Sequence, residues 1–483
     1  MKILIANRGE IACRVMHTLR DMAIPSVAVY SEVDREAPHV WLADEAINLE
    51  ETMCYLNGRL IIETAQRVGA TAIHPGYGFL SQNAEFARMC REAGIVFIGP
   101  SPEAMIALGD KRGSRQTAER EGVPVIPGAV ACETADDVRT AADKVGYPIL
   151  IKAAGGGGGK GMRRVDSAEE VDEAFAGARR EAESSFADDR MLVEKYIHPA
   201  RHVEVQILGD GKDAVAFGER ECSLQRRYQK IIEESPSPGI NETTRQGLFE
   251  SATKLARAVG YQNAGTVEFL VGPDGSFYFL EVNSRLQVEH PVTEQRFGSD
   301  LVRAQVEVAH GGPLPTPPSP RGHAMEARLN AEDPYNGFLP ATGPVLMLEW
   351  PNKPFVRIDT GIHNGSVIEP HYDSLLAKII AWGEDREQAR RRLLGALKNT
   401  VLLGLTSNQS FLVDLLETDF FKTGETYTTT VEAQEWNAPE PPEEVVAAAQ
   451  QALARRVEAH DTDGGPSDRY SPWLRLGAFR MSE

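Results

Sequence analysis

With 483 residues, 42% of them hydrophobic and 25% charged, the chain has the balance of a globular protein with room for about three domains. Its net charge of −19 argues against a nucleic-acid surface or an anionic membrane, which need clustered lysine and arginine, yet it leaves room for a locally basic pocket. No apolar run approaches the ~20 residues of a membrane span, the opening apolar run is too short for a signal peptide, and Cys13, Cys54, Cys90, Cys132 and Cys222 form no Cys-x-x-Cys pair, which predicts reduced thiols in a cytoplasmic protein.

Residues 3–6 read as a buried strand, 10–21 as a helix and 26–30 as the next strand, so the chain opens as a β-α-β unit with a parallel sheet. The first turn lacks Gly-x-Gly-x-x-Gly, which disfavours a dinucleotide site there. Further strands are expected at 71–74 and 95–98, and the glycine-punctuated loop 74–81 follows the first of these, a usual place for binding residues. This unit closes near residue 110. A second unit, 111–310, carries a helix starting at Lys111, a strand at 148–152, a glycine-rich loop at 155–161, a helix at 167–184 and a strand at 191–196. The five prolines of 311–320 mark a connection to a third unit, 321–436, with strand patterns at 323–329, 344–349, 366–369 and 375–382. A helix follows near Asp385, where Asp385 and Gln388 have capping-box spacing. The tail, 437–483, reads as a surface helix at 443–459 and a flexible stretch at 461–468.

Lys152 ends a predicted strand and is followed by the glycines 155–159, Lys160 and Gly161. Consecutive glycines let backbone N–H groups wrap a polyphosphate, although the Gly-Lys-Ser/Thr ending of a P-loop is absent and a plain flexible loop remains the alternative. Gly-Pro-Asp-Gly (272–275) is a hairpin signal. Pairing Val271 with Ser276 puts Glu268 opposite Phe279 and makes Glu281 its diagonal neighbour, ~7–8 Å away. With Asn283 on the same face, two acids and an amide form an all-oxygen set suited to Mg²⁺ or Mn²⁺ rather than zinc. From Glu281 onward every second side chain is polar (Asn283, Arg285, Gln287, Glu289) while Val282, Leu286 and Val288 are apolar. An extended backbone would aim the polar set into one site; the alternative is an amphipathic strand with a solvated face. Glu326, Arg328 and Asn330 alternate in the same way, as do His202, Glu204 and Gln206.

Taken together, Ile-Ala-Asn-Arg-Gly-Glu-Ile-Ala (5–12), the 72–81 loop, Phe-Ile-Gly-Pro (97–100), Lys152 with its glycines, Glu-Lys-Tyr (194–196), Arg-His-Val-Glu (201–204), Gln-Arg-Arg-Tyr-Gln-Lys (225–230), 281–294 and 326–334 resemble biotin carboxylase, a branch of the ATP-grasp ligases. The resemblance runs in the family's order from residue 1 to about 430. It implies an N-terminal parallel-sheet α/β domain, an ATP-grasp domain with a mobile glycine-rich lid at about 130–200, and a β-rich C-terminal domain. It implies ATP contacts from Lys111, Lys152, Gly158, Gly159, Glu194, Lys195, Ile197, His202 and Gln225. Glu268, Glu281 and Asn283 would hold the metal. Lys230, Arg285, Gln287 and the Val288 backbone would cradle bicarbonate, Glu289 matches the general base, and Arg328 the residue facing biotin.

Two departures stand out. Tyr228 replaces a histidine frequent near the nucleotide, and Lys160 replaces an arginine. The tail, including Ser-Pro-Trp-Leu-Arg-Leu (471–476), resembles the connector that leads to a biotinyl domain in acyl-CoA carboxylase α subunits. No Ala-Met-Lys-Met tetrapeptide occurs here, so biotin is expected on another chain or on an extension. The implied partners are a biotin carboxyl carrier protein or biotinyl domain, a carboxyltransferase subunit and a second copy in a homodimer. Two other readings stay open: a carbamoyl-phosphate-type ATP-grasp ligase, and a silent ATP-binding scaffold subunit.

Overall fold

In the computed structural model, which describes residues 1–109, 111–153, 161–186, 190–440, 443–448 and 451, the opening run Ile3–Ile5 (β1) is fully buried at the centre of a parallel sheet. With Ser26–Tyr30 (β2), Glu45–Asn48 (β3), Ala72–His74 (β4) and Val96–Phe97 (β5), the order is β3-β2-β1-β4-β5. Helix α1 (Gly9–Asp21) buries Ile11, Ala12, Val15, Met16 and Leu19, one stripe at helical spacing. That stripe shares a core with Leu286, Phe297, Leu301 and Val302, so the first domain and the candidate site segment are packed as one body. Beyond β4, the Asn7 amide donates to the carbonyls of Pro75 and Tyr77, both at 2.7 Å. Gly76 permits this: its φ is +61°, and a Cβ there would meet Asn7 Nδ2 at 2.9 Å.

Helix α2 (Lys111–Arg120) leads into a four-stranded antiparallel sheet made of Gly128–Cys132 (β6), Ile149–Ala153 (β7), Arg163–Val165 (β8) and Met191–Lys195 (β9), ordered β6-β9-β7-β8. Helices Ala135–Val145 and Val171–Phe186 cover it over a core of Val138, Ile149, Ile151, Phe175 and Val193. The glycines that follow β7 lie outside the described residues.

The largest sheet has eight antiparallel strands: Arg201–Asp210 (β10), Ala214–Arg226 (β11), Gln229–Ser235 (β12), Gln262–Val271 (β13), Phe277–Asn283 (β14), His323–Asn330 (β15), Val356–Thr360 (β16) and Leu375–Gly383 (β17). Their order is β14-β13-β10-β11-β12-β15-β17-β16. The proline-rich connection breaks the chain's regularity but not this sheet, because β12 pairs with β15 from Ile232↔Ala327 to Ser235↔Ala324. Helix α3 (His290–Phe297) follows β14, and α4 (Arg386–Asn399) follows β17 with Asp385 accepting from Gln388 N. Gln388 reaches the backbone N–H of Glu384 rather than that of Asp385, so the expected box is closed one residue early.

The expected strand at 344–349 is two short pieces. Gly343–Pro344 pairs with Val367–Ile368, whereas Met347–Glu349 pairs with Val401–Leu403. Proline supplies no N–H for a continuous ladder. Residues 1–435 form one unit and 436–483 a second, in which 443–448 are helical. The expected continuation of that helix through 452–459 and the expected flexible stretch lie outside the described residues.

Candidate active site

A row of charge crosses four neighbouring strands. Arg220 pairs with Glu204, Glu204 with Glu268, and Glu268 with Glu281. The last pairing corrects the expected diagonal. Val271 faces Phe277 and Phe269 faces Phe279, after which a β-bulge leaves Leu280 unpaired and moves Glu281 directly opposite Glu268. The hairpin turn is also one residue longer than the sequence suggests, with Gly272 N bonding Ser276 O at 2.8 Å. The Asn283 amide donates to Glu268 Oε1 at 2.9 Å. Among the described residues no hydrogen bond or ion pair reaches the Glu281 carboxylate, which is half-buried and faces the cavity beside Glu268 and Asn283. That free acid next to a second acid and an amide oxygen is a donor set a hard divalent cation fits.

The strip after Glu281 is not one strand. The ladder ends at Asn283, and residues 284–289 turn into α3, which begins at His290 with Pro291 in its proline-tolerant first turn. Val282 and Leu286 are buried as expected, while Val288 is half-buried and lines the cavity. The polar side chains converge all the same, because they bond one another. Gln287 donates to Glu268 Oε1 at 3.1 Å, Arg285 donates to Gln287 Oε1 at 2.8 Å, and Arg285 Nε donates to Gln82 at 2.9 Å.

Lys230, on β12, is the hub. Its ammonium donates to Glu204 at 2.5 Å, Glu289 at 2.6 Å and Glu268 at 2.9 Å. Burial alone would strip that proton, but Glu204, Glu268 and Glu289 together raise the lysine well above its ordinary range. Burial likewise opposes ionisation of Glu289, yet Lys230, Arg328 and Arg220 hold it well below the usual carboxylate value. Glu268 is lowered too, by Lys230 and His202 against burial. Arg328 donates to Glu289 at 3.0 Å and, through Nε, to Glu233 at 2.5 Å. Glu289 is fully buried behind these two cations, which themselves line the cavity. An anion entering there competes with Glu289 for the same two cations.

Glu233 behaves oppositely: burial, incompletely offset by Arg328, pushes it up to about 7. The folded chain therefore keeps a proton that an unfolded carboxylate (pKa ~4.3) has lost, and stability falls as pH rises through that window. Glu233→Gln is expected to melt higher relative to the parent at pH ~8 than at pH ~5, in thermal unfolding at both values. A pH-independent difference would place the Glu233 carboxyl in an ordinary environment.

Lys152 at the end of β7 pairs with Glu194 at the end of β9, and Arg115 lies 3.5 Å from the same carboxylate. The Lys195 ammonium is tied to the carbonyls of Gly146 and Tyr147, at 3.0 and 2.9 Å, so its side chain is committed to the fold. His202 Nε2 lies 2.9 Å from Glu268, and its Nδ1 is 2.7 Å from Gln225. Tyr228, in left-handed backbone with φ +65°, lines the cavity beside Tyr196 and Glu432.

One cavity of about 880 Å³ collects Lys152, Glu194, Lys195, Ile197, His202, Gln225, Lys230, Glu268, Glu281, Asn283, Arg285, Gln287, Val288 and Arg328. Gly158, Gly159, Lys160 and the Lys111 side chain lie outside the described residues. The sequence reading missed Arg220, which is fully buried and donates to Glu204 at 2.5 Å and Gln206 at 2.7 Å. It also missed Gln82 and Glu233, the partners of Arg285 and Arg328. Nothing local marks them, since each matters only through long-range pairing.

Residues 1–105 match the family "Biotin carboxylase, N-terminal domain", 110–317 "Carbamoyl-phosphate synthase L chain, ATP binding domain" and 326–433 "Biotin carboxylase C-terminal domain". The chain is 44% identical over 495 residues to the mitochondrial methylcrotonoyl-CoA carboxylase subunit alpha of Dictyostelium discoideum, covering 100% of this chain and 70% of that one. It is 44% identical to a biotin carboxylase of Nostoc, over 89% of this chain and 98% of that one. The crystal structure of the Hydrogenobacter thermophilus 2-oxoglutarate carboxylase biotin carboxylase domain dimer, in complex with MgADP, ADP and bicarbonate, superposes with a TM-score of 0.86 at 39% identity, over 90% of this chain and 99% of that one. The chain spans between 60% and 70% of the methylcrotonoyl-CoA carboxylase alpha subunits it matches.

Proposed function

This chain belongs to the biotin carboxylase family, and from that premise we propose that it carboxylates biotin at the expense of ATP and bicarbonate, as the first half-reaction of an acyl-CoA carboxylase. The observation that carries the reading is the junction of Lys230, Arg328 and Glu289: two cations lining a cavity, both bonded to one ionised, buried carboxylate. ATP enters the Lys152 and Glu194 end. Glu268, Glu281 and Asn283 would hold Mg²⁺ or Mn²⁺, which would supply countercharge to the transferring phosphoryl group.

Bicarbonate binds among Lys230, Arg285, Gln287 and the Val288 backbone, and draws Lys230 and Arg328 away from Glu289. Glu289 then takes the bicarbonate proton. A bicarbonate oxygen attacks the γ-phosphorus; that O–P bond forms while the bond to ADP breaks, giving carboxyphosphate. Its collapse to CO₂ and phosphate leaves a phosphate able to accept the proton of the biotin ureido nitrogen. Arg328 stabilises the enolate oxygen that develops, and the nitrogen attacks CO₂. Closure of the 130–200 segment as a lid excludes water from the intermediate.

Supporting partners are a carrier that presents biotin, a carboxyltransferase that discharges it, and a second copy of this chain. The carrier is drawn from the alpha-subunit relatives, which are longer than this chain, and the dimer from the H. thermophilus structure. The five cysteines are unpaired and buried, which suits a reducing compartment such as the cytoplasm, although some relatives are organellar. No described helix is long and apolar enough to cross a membrane.

Steady-state ADP release, measured with and without bicarbonate and biotin, tests the assignment. Turnover that requires bicarbonate and rises with biotin is expected. Biotin-indifferent turnover would favour a carbamoyl-phosphate-type ligase, and nucleotide binding without turnover a scaffold.

A further inference from the structure

We propose that Lys378 is a positioning residue: from behind the site it holds the Val288–Glu289 peptide, and with it the turn that carries the base and the anion-binding backbone. This rests on the reading that the turn binds bicarbonate. Lys378 lies on β17, opposite Arg328 of β15 on one side and Asp359 of β16 on the other. It is fully buried, does not line the cavity, and donates to Val288 O at 3.0 Å. Its charge is met by Glu10 Oε2 at 3.1 Å and Asp359 Oδ2 at 3.7 Å. Glu326 shares that face, but burial raises its carboxyl, and neither of its buried oxygens has a hydrogen-bond partner.

The preceding carbonyl is held as well. Gln287 O lies 2.8 Å from His290 Nδ1. Burial and the neighbouring cations Lys378, Arg14 and Arg357 keep His290 neutral, so Nδ1–H is the donor. Both peptide groups flanking Val288 are thus fixed from the side away from the cavity. A lysine that served only to neutralise Glu10 and Asp359 would not need the third contact.

The anchor also reaches the N-terminal domain. The Tyr77 hydroxyl, in the loop after β4, donates to the second oxygen of Glu10, and Tyr77 lines the cavity. Glu10 is held in place by the chain itself: a Cβ on Gly361 would lie 2.5 Å from Glu10 N, so the end of β16 passes directly against the first turn of α1. The links Tyr77–Glu10–Lys378–Val288 therefore tie the N-terminal domain to the base through one ammonium.

The test compares Lys378→Met and Lys378→Arg with the parent enzyme in bicarbonate- and biotin-dependent ADP release. For Lys378→Met the KM for bicarbonate is expected to rise about 10- to 100-fold and kcat to fall, with the KM for ATP within about twofold and Lys378→Arg restoring much of the loss. Should the methionine variant fail to fold, Lys378→Gln is measured instead; its shorter amide cannot serve both Val288 and Glu10, and the same split is expected. An unchanged KM for bicarbonate in a folded variant overturns the proposal, as does an equal rise in both KM values. A parent enzyme with no bicarbonate-dependent turnover instead contradicts the family-based reading.

Discussion

Glu289→Gln is expected to lower bicarbonate- and biotin-dependent ADP release by about 10²- to 10⁴-fold while leaving ATP affinity unchanged. Two features make the effect large. The Glu289 carboxylate is ionised despite full burial, because Lys230, Arg328 and Arg220 outweigh the cost of desolvation. Glutamine keeps the shape but can accept no proton, and it places an uncharged amide between two cations. Affinity should survive because Glu289 stands apart from the Lys152 and Glu194 end of the cavity and lines none of it. Isothermal titration with ATP and single-turnover ADP release on the same preparation separate binding from chemistry. A variant that turns over at the parent rate removes Glu289 from the mechanism.

Lys230→Met is expected to damage both stability and turnover. Glu204, Glu268 and Glu289 meet at this one ammonium, and all three are buried. Removing one partner of a buried ion pair costs ~3–5 kcal/mol, since the other charge is left uncompensated. Here the surviving acids relieve the strain by taking protons. Glu268 and Glu289 are held below the carboxylate range chiefly by Lys230, acting against burial, and in the variant they titrate higher. The melting deficit should therefore be largest at pH ~8 and shrink toward pH ~4, where the variant's acids have taken protons while Glu268 and Glu289 of the parent stay ionised against Lys230. Turnover should fall by at least ~10³-fold, because the variant loses an anion-holding cation and its base is protonated near neutrality. A pH-independent deficit would mean that Lys230 contributes packing rather than charge.

Much of this was legible before any coordinates. The buried Ile3–Ile5 run, the amphipathic 10–21 helix and the Ser26–Tyr30 strand carry strong periodic signals, and the structure holds elements close to each. The alternation of acids, amides and a guanidinium was legible too, although by itself that pattern fits an amphipathic strand with a solvated face as well as a site. The site's geometry was not. Leu280 is an ordinary apolar residue, and nothing local announces the bulge that brings Glu281 opposite Glu268. Continued alternation past Asn283 suggests a strand, but Pro291 and the buried Leu286 anchor turn the chain into α3. The side chains meet by mutual hydrogen bonding instead of by pleat. Arg220 and Lys378 were invisible for a different reason: each is defined by partners brought in from distant strands, and a buried cation in a sequence looks like any other lysine or arginine.

The most direct measurement follows oxygen. With bicarbonate labelled in all its oxygens by ¹⁸O, and biotin and ATP present, attack of bicarbonate on the γ-phosphorus places one labelled atom in every phosphate released. Mass spectrometry of that phosphate should show one ¹⁸O per turnover. Phosphate free of ¹⁸O would mean that water, not bicarbonate, is the nucleophile, and that Glu289, Lys230 and Arg328 do not serve the reaction assigned to them.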